Sequence, residues 1–168
     1  MIEILIGPIC SGKGTYARGR AQGGAIVVND DAIVKAVHGG DYTLYSKSLK
    51  PLYRSVEMSI ITAAVSLGRD VIIDRGNCMN PSCRRKYVGI GRSLDQEVIA
   101  VLFPNQGPEW HANARFNKND RGLPLEHWLG AAQRHQSEFR PPTLEEGFTE
   151  ISTIEGMRAI HEWNQAVL

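Results

Sequence analysis

Residues 2–15 read Ile-Glu-Ile-Leu-Ile-Gly-Pro-Ile-Cys-Ser-Gly-Lys-Gly-Thr, a short apolar run that leads directly into a glycine-rich loop with a lysine. Gly7, Gly12 and Lys13 have the spacing of a phosphate-binding P-loop. Glycines allow successive backbone N–H groups to turn towards an anion, and a helix that begins near Lys13 directs its positive dipole end to the same place. This stretch therefore predicts a strand, a nucleotide-binding loop and a helix.

The loop departs from the usual P-loop pattern at Gly14, where serine or threonine commonly binds magnesium. Thr15 follows, and Gly-Lys-Gly-Thr resembles the loop of nucleoside monophosphate kinases. We therefore expect ATP and Mg²⁺ as cofactors, with Thr15 holding the metal directly or through water. The candidate nucleotide-binding residues of the loop are Gly7, Cys10, Ser11, Gly12, Lys13, Gly14 and Thr15, and Lys13 is also a candidate catalytic residue.

The composition is that of one globular domain, since 42% of the 168 residues are hydrophobic and 22% are charged. The chain has no run of about 18 apolar residues and begins with a predicted strand, so we expect neither a membrane span nor a signal peptide. Its three cysteines match no disulfide framework, which favours the cytoplasm, or the host cytoplasm for a phage protein. The net charge of +1 excludes a broadly basic nucleic-acid coat, so a nucleic-acid partner would be held through few phosphates.

Strand-like and helix-like segments alternate along the chain. Strands are predicted at residues 2–6, 25–28, 71–73, 98–103 and 148–154. Helices are predicted at residues 15–20, 48–67, 81–94, 109–118, 126–139 and 157–167. Such alternation predicts an α/β fold of three layers, a parallel sheet with helices on both faces. We expect a single domain over residues 1–168, with a small lid at about 109–124.

Carboxylates follow two of the predicted strands: Asp30 and Asp31 come after the second, and Asp74 ends the third. In an open α/β sheet, side chains at the carboxyl ends of the strands lie beside the bound phosphates. A kinase that phosphorylates an alcohol needs a group that accepts the hydroxyl proton. We assign Asp30 as this base, Asp31 as a helix cap, and Asp74 as a metal-side carboxylate of the Walker B type. The competing interpretation is that both Asp30 and Asp31 only cap the helix that follows.

Three cations, Arg115, Lys118 and Arg121, lie in a polar segment of the predicted lid. Guanidinium groups on a lid can close over ATP and neutralise the charge that develops on the transferred phosphoryl group. We therefore expect Arg115 to bind nucleotide and Arg121 to act in catalysis. The same composition is also typical of a solvated helix and turn.

Several segments, in the same order, resemble the kinase domain of the polynucleotide kinase family. They are residues 7–15, Val-Val-Asn-Asp-Asp at 27–31, Val-Ile-Ile-Asp at 71–74, Asn77 with Asn80-Pro81, residues 115–121, and Phe-Arg-Pro-Pro-Thr-Leu-Glu-Glu-Gly-Phe-Thr-Glu-Ile at 139–151. That family transfers the γ-phosphate of ATP to the 5′-hydroxyl of DNA or RNA. The resemblance implies that its carboxylate base is Asp30 and that its lid arginines are Arg115 and Arg121.

Two departures from the family pattern fall on the acceptor side. Ile33 stands where some members have an arginine that contacts a substrate phosphate, and Lys35 is the nearest cation. Arg75-Gly76-Asn77 replaces the common Asx-Thr-Asn. The candidate substrate-binding residues are Asp30, Lys35, Asp74, Arg75 and Asn77.

The sequence thus predicts an ATP-dependent kinase with a nucleic-acid 5′-hydroxyl as its first acceptor. The altered acceptor side also fits a kinase for the hydroxymethyl group of a modified pyrimidine in DNA, such as 5-hydroxymethyluracil, an activity of phage relatives. The near-neutral charge favours a third alternative, a small-metabolite or nucleoside kinase. A nucleotide-binding switch that hydrolyses ATP slowly and has no acceptor belongs to a different class.

Overall fold

A computed structural model of the protein describes residues 1–118 and 121–155. Its strands are β1 (Ile2–Ile6), β2 (Ile26–Asn29), β3 (Val71–Asp74), β4 (Val98–Leu102) and β5 (Glu150–Thr153). Its α-helices are α1 (Lys13–Gln22), α2 (Asp30–Val37), α3 (Lys50–Ser66), α4 (Pro81–Ser93), α5 (Pro108–Phe116) and α6 (Leu125–Glu138). The strands form one sheet in the order β2-β3-β1-β4-β5, and all neighbours pair in parallel. The carboxyl ends of all five strands therefore lie at one edge.

The predicted fold class, a parallel sheet between layers of helices, is confirmed. Most predicted elements agree with the observed ones to within about two residues, and the start of the predicted helix at 48–67 is a 3₁₀ turn, Lys47–Leu49, that precedes α3. The helix predicted at 157–167 lies outside the described residues. Within the described residues, no helix combines the length and the apolar character needed to cross a membrane.

The central strand β1 separates two apolar layers because successive side chains of a strand point to opposite faces. Ile4 belongs to the cluster that contains Ile61 of α3 and Tyr87 of α4. Leu5 belongs to the opposite cluster with Tyr16 of α1. Ile4 and Leu5 are both fully buried, which is the pattern of a parallel sheet covered on both faces. This packing fixes the loops at the carboxyl edge.

The junction between β2 and α2 has no intervening loop. Asn29, the last residue of β2, caps α2 by accepting a hydrogen bond from the Ala32 N–H at 3.1 Å. The prediction that Asp31 is the cap is therefore wrong. Asp30 and Asp31 instead form the first turn of α2, where carboxylates are favoured by the helix dipole. Their side chains are thus available for contacts outside the helix.

The segment at 139–151 is anchored to α4 by Arg84, which has no exposed surface. Its Nε and Nη2 donate to the Glu146 carboxylate at 2.8 and 2.6 Å, and its Nη1 donates to the Met79 carbonyl at 3.2 Å. Gly147 has φ +102°, and a Cβ there would lie 2.8 Å from Val88. The most characteristic segment of the polynucleotide kinase resemblance therefore makes structural contacts in this fold.

Candidate active site

The P-loop connects β1 to α1 and forms one wall of a cavity of about 360 Å³ at the carboxyl edge. Glycine is required at one position of the loop because neighbouring atoms lie too close for a Cβ, and it is favoured at another because the backbone is left-handed. A Cβ on Gly7 would lie 2.6 Å from Ser11 Oγ and 2.7 Å from Phe103 Cβ, and Gly12 has φ +103°. Only glycine fits the first position without displacing its neighbours, and glycine is strongly favoured at the second.

Lys13, at the start of α1, turns back over the P-loop. Its Nζ donates to the carbonyl oxygens of Gly7 and Pro8, each at 2.6 Å. Burial lowers the pKa of Lys13 to about 8, although the Asp74 carboxylate acts in the opposite direction. The ammonium group of Lys13, which is predicted to bind the phosphates, is therefore held against the P-loop at the wall of the cavity.

The cavity around the P-loop has the groups that a nucleoside triphosphate requires. Lys13, Arg18 and Lys118 give it three cations. In the P-loop next to this cavity, Ser11 Oγ is buried and has no hydrogen-bond partner among the described residues. The N-terminus of α1 adds its positive dipole end. This donor set fits a polyphosphate, and the exposed ring of Trp110 lines the same cavity.

Asp74 and Thr15, the two predicted metal-side residues, both line the P-loop cavity. The register places Asn29 opposite Asp74, and Asn29 Nδ2 donates to the Asp74 carbonyl at 3.0 Å. Burial raises the pKa of Asp74, and Lys13 partly offsets that effect. Among the described residues there is no cluster of three or more acidic, His or Cys side chains that could hold a metal alone. One carboxylate and one hydroxyl fit Mg²⁺, because that ion is usually shared with substrate phosphates.

A second cavity of about 260 Å³ contains Asp30, Asp31, Arg75 and Asn77. Its aromatic wall, which we call the tyrosine wall, consists of Tyr42, Tyr45 and Tyr53. The Tyr42 and Tyr45 rings lie 6.2 Å apart at 10°, and the Tyr45 and Tyr53 rings lie 5.8 Å apart at 21°. Arg54 and Lys50 line the same space. We call it the acceptor cavity.

Arg75 connects the acceptor cavity to a buried charge network. Its Nε lies 2.5 Å from Asp30 Oδ1 as an ion pair, and its Nη1 donates to Glu57 Oε1 at 2.8 Å and to the Tyr87 hydroxyl at 2.7 Å. Burial raises the pKa of Glu57, but hydrogen bonds from Lys86 and Tyr87 bring it below its usual range. Glu57 is therefore held as a carboxylate that orients Arg75.

The two adjacent aspartates have different partners. Asp30 is half-buried, and burial raises its pKa above the ordinary range although Arg75 acts in the opposite direction. Asp31 forms an ion pair with Arg121, whose guanidinium lies 5.3 Å from the centre of the Tyr42 ring. A carboxylate with a raised pKa is a better proton acceptor than an ordinary aspartate, which fits the predicted role of Asp30 as the base.

Lys35, Arg115 and Arg121, which were predicted as site residues, are not among the residues that line these two cavities. Lys35 is exposed on α2, and Arg115 lies 4.4 Å over the ring of Trp128 from α6. The assignments of Lys35 to the acceptor and of Arg115 to nucleotide stay predictions. Asp74, proposed for both the substrate and the metal, lies with the P-loop and not in the acceptor cavity.

Sequence reasoning missed Glu57 and the tyrosine wall. Glu57 had a detectable signal, because it interrupts the apolar stripe at Tyr53 and Ile61 with the four-residue spacing of a helix face. A buried charge on such a stripe indicates a partner inside the fold. Arg18 and Trp110 also line the P-loop cavity, but no pattern in the sequence marks them as site residues.

The family model AAA_33, described as an AAA domain, matches residues 2–141. A candidate kinase from Chloroflexus aurantiacus j-10-fl aligns with a TM-score of 0.67 and 13% identity over 99% of this chain and 97% of that one. Shikimate kinase from Acinetobacter baumannii in complex with shikimate aligns with a TM-score of 0.61 and 20% sequence identity, and the alignment covers 99% of this chain and 89% of that one. A fungal RNA kinase aligns with a TM-score of 0.63 and 14% sequence identity, and the alignment covers 99% of this chain and 42% of that one. These structures share the P-loop kinase fold, and no curated protein sequence matches the chain.

Proposed function

This chain belongs to the AAA_33 family, and from that premise we propose that it transfers the γ-phosphate of ATP to a hydroxyl group of a nucleic acid. The family match and the kinase folds of its structural neighbours support an ATP-dependent kinase. A 5′-hydroxyl end is the acceptor that we propose first, because the polynucleotide kinase resemblance extends over nearly the whole chain.

One observation carries the proposal: the P-loop cavity and the acceptor cavity both lie at the carboxyl edge of the sheet. Asn29 is paired with Asp74 in the register, so the carboxylate that follows β2 and the carboxylate that ends β3 come from adjacent strand ends. The first faces the acceptor cavity and the second faces the P-loop. A phosphoryl group held by Lys13 and a hydroxyl beside Asp30 would thus approach from neighbouring strands.

The chemical step follows from these roles. Asp30 accepts the proton of the acceptor hydroxyl as its oxygen forms a bond to the γ-phosphorus. The bond from phosphorus to the β,γ-bridging oxygen breaks, and its electron pair leaves with ADP. Lys13 and Arg121 offset the negative charge on the transferred group and on the leaving oxygen. Arg75 keeps the Asp30 carboxylate oriented.

Asp74 and Thr15 are the residues that would hold Mg²⁺. When bound, the ion supplies positive charge that shields the phosphate oxygens. Lys13, Arg18 and Lys118 supply further positive charge in the P-loop cavity.

The tyrosine wall supports a nucleotide as the acceptor. Aromatic side chains beside a cationic groove are the usual means of holding single-stranded nucleic acid, since every base has a face that can stack. Tyr42 and Tyr45 are partly exposed, and the cations Lys50 and Arg54 line the same cavity, together with the carboxylates of Asp30, Asp31 and Glu57. A small polyol acceptor would not require such a wall.

A second candidate is a kinase for the hydroxymethyl group of a modified pyrimidine in DNA. The size of the acceptor cavity favours it, because about 260 Å³ accommodates one unstacked base and not a duplex. Taking the base out of the stack would cost a few kcal/mol, which aromatic contacts can offset.

Labelled ATP distinguishes these acceptors. We expect the label to enter a linear DNA or RNA oligonucleotide with a 5′-hydroxyl end and to be found on the sugar after digestion to nucleosides. Circular DNA that contains 5-hydroxymethyluracil serves as the matched acceptor without ends. ATP consumption is expected only when an acceptor is present.

Label on the base of the circular DNA, with none on 5′-hydroxyl ends, would replace the first acceptor by the second. Label on neither nucleic acid, with transfer to shikimate or another small alcohol, would contradict a nucleic-acid acceptor altogether. ATP consumption at the same rate without any acceptor would identify a slow hydrolytic switch.

Replacement of Arg121 by alanine should lower kcat more than it weakens ATP binding. Its contact is expected to strengthen as charge moves to the leaving oxygen, and a hydrogen bond to a charged group contributes about 1.5–3 kcal/mol, or roughly 10- to 150-fold in kcat. Single-turnover transfer and ATP affinity measured on Arg121→Ala and Arg121→Lys test this. Equal losses in both quantities would make Arg121 a ground-state binding residue.

A further inference from the structure

Two thiols, Cys78 and Cys83, lie side by side next to Asn77, a residue of the acceptor cavity. We propose that Cys78 and Cys83 are a modification site: a peroxide converts them to a reversible disulfide, which disturbs the acceptor side and leaves the P-loop cavity unchanged. The formation of the bond is independent of the proposed function, whereas its effect on transfer rests on it.

The geometry of the pair carries the proposal. The two Sγ atoms lie 3.2 Å apart, and both residues are free cysteines. A disulfide has an S–S bond of about 2.05 Å, so closure requires a movement of about 1 Å. The backbone beside Cys78 is pinned, because the buried Arg84 donates to the carbonyl oxygens of Cys78 and Met79 at 3.3 and 3.2 Å. The pair is therefore held close together before any oxidant arrives.

The two thiols have unequal environments. Cys78 is fully buried in the main apolar cluster, whereas Cys83 is partly exposed and lines a groove of about 420 Å³. Arg54, Arg75 and Lys86 line the same groove, and two of these cations are paired with carboxylates, Arg75 with Asp30 and Glu57 and Lys86 with Glu57. A peroxide in solvent therefore reaches Cys83 before it reaches the buried Cys78.

The position of Cys83 in α4 supports the same assignment. Cys83 lies in the first turn of α4, and its N–H donates to Asn80 Oδ1 at 3.1 Å. Helix N-termini stabilise thiolates. The hydrogen bond from Cys78 lowers the pKa of the Cys83 thiol, and the same contact raises the pKa of Cys78. Cys83 is thus the attacking sulfur, and Cys78 is the resolving one.

The reaction is balanced with a peroxide as the two-electron oxidant. The Cys83 thiolate attacks one peroxide oxygen, the O–O bond breaks, and the products are a sulfenic acid and hydroxide. The Cys78 sulfur then attacks the Cys83 sulfur, the S–O bond breaks, and water leaves with the Cys78 proton. A dithiol reductant reverses the modification by thiol–disulfide exchange.

The consequence for the site follows from the neighbours of the pair. In its thiol form, Cys83 donates a hydrogen bond from Sγ to Asn77 Oδ1 at 3.1 Å, and Asn77 lines both the groove and the acceptor cavity. Oxidation removes this donor and pulls on the 3₁₀ helix Gly76–Met79, which directly follows Arg75. The lining of the P-loop cavity contains no residue from 76–83. The disulfide should therefore disturb the base–arginine pair and spare nucleotide binding.

The experiment uses the full chain in the Cys10→Ser background, so that Cys78 and Cys83 are the two remaining thiols. After hydrogen peroxide treatment we expect both thiols to disappear from a thiol titration. A peptide containing Cys78 linked to Cys83 should have lost the mass of two hydrogen atoms. Phosphoryl transfer to an oligonucleotide with a 5′-hydroxyl end should fall by up to about 100-fold, the loss that a 1 Å misplacement of the reacting groups can cause. Dithiothreitol should restore the transfer. ATP affinity should not change.

The matched control is Cys10→Ser with Cys83→Ser, whose treated and untreated activities should be equal. Two titratable thiols after treatment of the Cys10→Ser protein, or oxidation of Cys83 to a sulfinic acid without linkage to Cys78, would overturn the proposal. A disulfide that leaves transfer unchanged would overturn its regulatory half. A protein with no kinase activity towards any acceptor would contradict the proposed function alone, because the disulfide is detected without an activity assay.

Discussion

Replacement of Lys13 by methionine should abolish phosphoryl transfer while the protein stays folded. Lys13 Nζ is held by two P-loop carbonyls beside the cavity that also contains Arg18 and Lys118. Loss of one oxyanion-stabilising donor lowers kcat by about 10²- to 10³-fold, and a full charge at the β- and γ-phosphates should contribute at least as much. Methionine keeps the buried alkyl chain, so we expect little change in thermal unfolding. Single-turnover transfer from labelled ATP measures the loss.

The same lysine should make ATP binding depend on pH. Because burial lowers the pKa of Lys13 to about 8, the ammonium of the nucleotide-free protein loses its proton as the pH rises through that value. ATP affinity should therefore fall above about pH 8 in the wild-type protein, and this dependence should be absent from Lys13→Met. Near-normal turnover in a folded Lys13→Met protein would eliminate the P-loop assignment.

Replacement of Asp30 by asparagine should leave ATP affinity nearly unchanged and lower kcat by about 10²- to 10⁴-fold, the range for a lost general base. The amide keeps the shape of the side chain but cannot accept the hydroxyl proton. The wild-type rate should fall as the pH decreases through the pKa of Asp30, which burial raises above that of an ordinary aspartate. This acidic limb of the pH–rate profile should disappear in the variant.

Asp31→Asn is the matched control, since it alters the adjacent carboxylate and its ion pair with Arg121 instead of the Arg75 contact. We expect it to retain the acidic limb. If Asp31→Asn loses that limb and Asp30→Asn keeps it, the base assignment is wrong by one residue.

The fold could be predicted because its signals are local. The apolar run at residues 2–6 and the glycines and lysine that follow specify a strand, a turn and a helix start within a few residues of one another. Asp30 and Asp74 could be placed at the edge of the sheet for the same reason, since Asp30 directly follows an apolar strand and Asp74 ends another. The cap of α2 was misassigned because Asn29, Asp30 and Asp31 are all good capping residues, and only the backbone geometry decides among them.

Much of the acceptor side could not be predicted from those signals. Arg75 was expected to touch substrate, and the structure pairs it with Asp30, Glu57 and Tyr87. Lys35 was chosen as the nearest cation in sequence, but the cations that line the acceptor cavity besides Arg75 are Lys50 and Arg54 of α3. The position of a residue in the sequence does not show whether its side chain lies on the helix face that borders a cavity.

The amino-acid sequence by itself determined the P-loop, the alternation of strands and helices, and the ends of the strands where phosphate chemistry can occur. These features depend on spacing and periodicity within short segments. The tertiary structure alone decided the tyrosine wall, the Glu57–Arg75–Asp30 network and the contact between Cys78 and Cys83. Glu57 and Arg75 lie 18 residues apart on α3 and after β3, and their contact depends on how α3 rotates against the sheet. That rotation is set by packing of the whole apolar layer, which no single segment encodes.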